Sequence, residues 1–103
     1  TSNKSEDIIS ATYVAQTEME QLYQLSKTVS ISEVEDKLLE NGYINIGMID
    51  EWIVFEKYEQ YDIRIKLKLL DEETNLEPVV IEVYDTSTSK LEAKMESLFT
   101  WKE

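Results

Sequence analysis

Apolar positions recur every three or four residues along the opening stretch of the chain. Ile8, Ala11, Ala15, Met19, Leu22 and Leu25 fall on one side of a helix running to about Ser26, and Ile9, Tyr13 and Val14 widen that face. Ser5 offers an N-cap, with Glu6 and Asp7 in a first turn whose dipole favours acids. Residues 1–4 lack periodicity and read as a frayed terminus. A second helix is expected from near Ser30. Ser30 and Glu33 have capping-box spacing, Val29 and Val34 sit where a hydrophobic staple would, and Ser32 with Glu35 repeats the box two residues on. Ile31, Val34 and Leu38 form its buried stripe, with Leu39 beside it, and Asn41-Gly42 ends it because glycine takes the left-handed conformation readily.

The period then shortens to two. Residues 43–49 alternate at Ile44, Ile46 and Met48, and 52–58 are rich in aromatic and β-branched side chains. Tyr61 to Leu70 is the clearest strand, with Ile63, Ile65, Leu67 and Leu69 on one side and Asp62, Arg64, Lys66 and Lys68 on the other. A polar loop, 71–75, precedes a returning strand from Val79 to Tyr84, and Pro78 belongs at its start or on an edge. After a polar hinge at 85–89, Ser89 and Glu92 have capping-box spacing once more. Leu91, Met95, Leu98 and Phe99, with Trp101 near the end, then predict a closing amphipathic helix. The expected fold is a single α+β domain over residues 1–103: two N-terminal helices, a four-stranded antiparallel meander, and a C-terminal helix packed on one sheet face.

Composition narrows the chemistry. Among 103 residues there is no cysteine and no histidine, which removes disulfides, thiolate nucleophiles, cysteine-ligated zinc and the side chain best suited to proton transfer near neutral pH. Gly42 and Gly47 stand apart, so there is no phosphate-cradling glycine loop, and no serine sits in a nucleophile elbow. The chain is expected not to be an enzyme and to need no cofactor. No apolar run is long enough to span a bilayer and no signal-peptide pattern is present, so a cytoplasmic protein is expected.

Charge points outward, to partners. The net charge is -12, from 22 acids against 10 bases, shared evenly between the two halves. Such a surface repels nucleic-acid backbones and anionic membranes and draws basic partners. Residues 29–49 have the helix-break-helix-strand order of a winged helix-turn-helix. The would-be recognition helix over 32–40, however, carries four acids and one base, against direct nucleic-acid binding.

Three local patterns bear on a site. Asp71, Glu73, Asn75, Glu77 and Glu82 partly follow calcium-loop spacing, but Leu76 stands where a glycine is needed, Pro78 follows and the flanks read as strands; a solvated hairpin loop is the better reading. Arg64, Lys66 and Lys68, extended by Lys57, form a basic stripe that is better read as a ladder paired with Glu56 and Glu82 than as an anion site. On the second helix, Glu33, Asp36 and Glu40 share one face, which is either a row of mimicked phosphates or an ordinary wet face.

These features favour a small acidic interaction module that docks on a basic, nucleic-acid-handling protein as an inhibitor, immunity or adaptor protein of phage or bacterial type. It would act by steric blockade or as a nucleic-acid mimic. Its expected contact residues are Glu33, Asp36, Glu40, Trp52 and Tyr58. The alternative is a structural protein that forms a homo-oligomer, for instance a homodimer, through the edge of the Tyr61–Leu70 strand, although Lys66 and Lys68 oppose strand addition there.

Overall fold

Helix α1 (Lys4–Thr28), helix α2 (Val34–Glu40) and strands β1 (Ile44–Ile49), β2 (Trp52–Tyr58), β3 (Tyr61–Lys68), β4 (Leu76–Asp85) and β5 (Leu91–Thr100) make up the computed structural model. It describes residues 4–68 and 76–102, with side chains from residue 10 onward. The strands form one antiparallel sheet in the order β1-β2-β3-β4-β5. The polar loop expected at 71–75, residues 1–3 of the terminus and the side chains expected to cap α1 lie outside the described portion, whereas Lys4, expected to fray with residues 1–3, begins α1.

Helix α1 buries the stripe Ala11, Ala15, Met19 and Leu22. The two alanines, with no exposed surface, let the helix backbone lie close to the sheet. Ser30 and Glu33 do meet: the Ser30 hydroxyl donates to Glu33 Oε1 at 2.9 Å, and the Ser30 N–H approaches the same oxygen at 3.4 Å. These bonds close the turn ahead of α2 but do not make Ser30 its N-cap, which is Glu33, and the helix begins only at Val34. At the far end of α2 the Tyr43 N–H bonds the Leu38 carbonyl and the Gly42 N–H bonds that of Leu39. With Gly42 at φ +93, this is the Schellman stop that Asn41-Gly42 predicts.

Sheet register sorts the side chains into two faces. Phe55, Ile65 and Ile81 are cross-strand neighbours, as are Ile63 with Val83 and Leu67 with Val79. All of these join α1 and α2 in the main core, together with Tyr61 and Phe99. Phe99 stacks edge-on between Tyr23 of α1 and Trp101. The Lys102 N–H bonds the Ser26 carbonyl, which ties the chain after β5 to the end of α1.

The expected C-terminal helix is overturned: residues Leu91–Thr100 form β5, so the sheet has five strands and both helices are N-terminal. The physical reason lies in β4. Val79, Val80, Ile81, Glu82 and Val83 are all buried. A strand buried on both faces is an interior strand and needs a neighbour on each side. β3 is one neighbour, and the segment after the turn must be the other. Its alternation Ala93, Met95, Ser97 and Phe99 against Val83, Ile81, Val79 and Glu77 satisfies that demand, overriding the helix preference of its residues. The expected strand edge at Tyr61–Leu70 is overturned as well, since β3 lies in the middle of the sheet and the edges are β1 and β5.

Candidate interaction surfaces

Beneath α1 lies a buried polar group. Glu18 is 8% exposed and Tyr43 3%. The Tyr43 hydroxyl donates to Glu18 Oε1, and Lys57 Nζ reaches the same oxygen at 3.0 Å. Lys57 also sits 4.6 Å from the centre of the Tyr43 ring and 3.4 Å from Glu59 Oε1. Burial, then the bond to Glu18, pushes the Tyr43 hydroxyl far above the ordinary tyrosine value. The adjoining cavity of about 40 Å³ is walled by Leu22, Leu25, Leu38 and Ile65 as well as by Glu18 and Tyr43. It is too small for any ligand beyond water. Lys57 is therefore not an extension of the basic stripe; it faces the helices.

The stripe itself lies on the other face of the sheet, which neither helix covers. It behaves as a ladder. Arg64 holds Glu56 through both Nε at 3.2 Å and an Nη at 2.9 Å, Lys66 lies 4.0 Å from Glu82, and Lys68 lies 3.0 Å from Glu51. Lys66 and Lys68 both sit over the Trp52 ring, and Arg64 over Tyr84. Val54 and Val80 belong to this face and are buried, yet they are separate from the main core. Lys66 stands between them in the register. A groove of about 360 Å³ runs beside them, bounded by Trp52, Pro78, Val80, Glu96 and Leu98.

A third surface is the end of the molecule formed by α2 and β1. Ile44, Ile46, Met48 and Ile49 are 38–64% exposed, and Leu39 of α2 is exposed too. β1 carries no charge, and a bulge between Asn45 and Gly47 breaks its alternation, so Ile44 and Met48 fall on opposite faces. The Gly47 N–H is taken by Asn45 Oδ1 at 2.7 Å, which blunts the edge against strand addition. Acids border this apolar strand. Glu35 accepts from Asn45 Nδ2 at 3.1 Å, and Asp50 and Glu51 form the turn after it.

The expected contact residues are not one site. Glu33, Asp36 and Glu40 are exposed at α2, but Glu33 folds back on Ser30 and Glu40 lies 3.6 Å from Lys37. Trp52 and Tyr58 stand at opposite ends of β2, on the face of the sheet away from α2. The tyrosine is 58% exposed, with its hydroxyl on Glu56. Sequence reasoning passed over the exposed residues of β1. Their signal was the uncharged run Ile44–Ile49, broken by a glycine.

Among the described residues no group of three or more acids is placed to hold a metal ion, and no helix is long and apolar enough to cross a membrane. No family model, no curated protein and no solved structure matches the chain.

Proposed function

We propose that this protein is an interaction module that docks on a basic protein partner through its α2–β1 end, acting by steric blockade or as an adaptor. The observation that carries the reading is the exposure of Ile44, Ile46, Met48 and Ile49 on an uncharged strand, beside the acids of α2 and of the β1–β2 turn. Clustered apolar side chains supply affinity when a partner buries them, and the surrounding acids raise the association rate with a cationic surface. Docking is favoured over mimicry of a nucleic acid. A seven-residue helix is about 10 Å long, room for only about three phosphate spacings of one strand, and two of its expected acids are turned to neighbours.

The experiment is affinity capture from lysate of the source cell at low and moderate salt, with the wild type, with Met48→Glu, and with Glu33, Asp36 and Glu40 all changed to Lys. A dominant basic partner, lost with Met48→Glu and weakened by salt and by the triple reversal, is the expected result. A partner retained equally by all three proteins would place docking elsewhere.

A further inference from the structure

The charge on the uncovered sheet face differs from that of the rest of the molecule. Its strand positions carry four bases, Arg64, Lys66, Lys68 and Lys94. They also carry five acids, Glu56, Asp62, Glu82, Glu92 and Glu96. With five acids against four bases the face is close to neutral, and nearly all of the excess of -12 belongs to the rest of the sequence. Two further observations concern the same face. Its centre is apolar, with Val54 and Val80 already out of water and Leu98, at 59% exposure, beside the groove along Trp52 and Pro78. Its cations are already committed to Glu56, Glu82, Glu51 and the Trp52 ring, so it offers no spare positive charge to an anionic ligand.

We propose that the open face of β2–β5 is where a second copy of this chain docks, sheet against sheet. Charge selects this occupant. Two bodies of net charge -12 repel wherever their acidic surfaces meet. On the nearly neutral face, where each base already lies beside an acid of its own copy, that repulsion is absent, and the alternating charges of two copies can interleave across a two-fold axis. The area suffices. Four strands about 4.8 Å apart and about 25 Å long project on the order of 500 Å², and side-chain relief brings this toward the roughly 800 Å² per partner of a stable interface. Leu98 fills the facing groove, and the aliphatic stems of Lys66 and Lys68 pack around Trp52. Met48 of the α2–β1 end lies on the opposite face from this contact, so a change at Met48 separates the docking of a basic partner from the dimer.

Sedimentation equilibrium of the intact chain, from micromolar to near-millimolar concentration and at two salt levels, tests this. The wild type is expected to pass from monomer to dimer. The dimer strengthens as salt screens the repulsion between the two negative bodies, whereas attraction to a basic partner weakens with salt. Leu98→Glu, at an exposed position that folding does not need, weakens the dimer about tenfold or more, as loss of a central apolar contact should. Met48→Glu leaves it unchanged. A monomer at every concentration overturns the proposal, as does a dimer that survives Leu98→Glu or one abolished by Met48→Glu.

Discussion

Glu18 is held almost out of water, and the sharing of its oxygen by Tyr43 and Lys57 makes that tolerable. A buried carboxylate costs stability unless donors satisfy it. Lys57→Met removes the counter-charge and is expected to cost about 3 kcal/mol, near the lower end for breaking a buried pair. Tyr43→Phe removes one hydrogen bond of two and costs about 1–2 kcal/mol. Because both act on the same oxygen, the double variant should fall short of the sum in urea denaturation; strict additivity would mean that the two donors do not share Glu18. The Tyr43 proton also has a pH signature. Its folded value lies above the ordinary 10.0, so its contribution is fully present below pH 10 and is lost as pH rises beyond it, when the unfolded chain ionises first. Tyr43→Phe should flatten the alkaline limb of the stability curve. None of the three residues stood out in the sequence as a polar group. Glu18 is one acid among 22, and Lys57 read as part of a basic stripe until β2 fixed which way it points.

At the level of elements, the chain is legible where two signals agree and misleading where they conflict. α1 and β3 lie where the pattern put them, while α2 stops at Asn41-Gly42 as expected but begins only at Val34, later than the start expected near Ser30. Residues 91–100 satisfy both periods at once: Leu91, Met95, Leu98 and Phe99 trace a helix face, while Ala93, Met95, Ser97 and Phe99 trace a strand. The buried run of β4 decides between them, and that decision is not local to residues 91–100. The turn that delivers β5 shows how the apparent cap at Ser89 is spent. Asp85 Oδ1 accepts from the Ser87 N–H at 2.8 Å, the Ser87 hydroxyl at 2.7 Å and the Thr88 N–H at 3.0 Å. Ser89 itself takes φ +60, a left-handed conformation rather than that of a helix N-cap. These bonds hold the Asp85 carboxyl below the usual aspartate range. Asp85→Ala should therefore lower Tm through the lost turn bonds. Ser89→Gly should stabilise by about 0.5–1 kcal/mol by relieving the left-handed backbone. Thermal melts of the two variants moving in the same direction would contradict this account of the turn.

Over the whole molecule, the net charge of -12 could be read at once, but its near-exclusion from one face could not, because that depends on a register only the folded sheet supplies. The same segregation bears on stability. Folding gathers the excess acids onto the helices, turns and strand ends of a body 50 × 24 × 21 Å across, many within the roughly 10 Å over which charges interact at 0.1 M salt. Self-repulsion is relieved when the chain expands, so it opposes the compact state. The ion pairs act in the opposite sense, but most have at least one well-exposed partner, for example Lys37–Glu40, Lys68–Glu51 and Lys94–Glu96, and such pairs contribute little. The excess should therefore dominate. Raising salt from low ionic strength to about 0.5 M is expected to raise Tm by about 5 °C, on the order of 1 kcal/mol for a domain of this size. Changing Glu33, Asp36 and Glu40 to Lys moves the net charge from -12 to -6 and should shrink that salt response while leaving the fold intact. The measurement is a salt series of thermal melts on both proteins at a concentration low enough to keep them monomeric. A Tm that falls on adding salt would mean that the cross-strand ion pairs, and not the acidic excess, set the electrostatic balance of the fold.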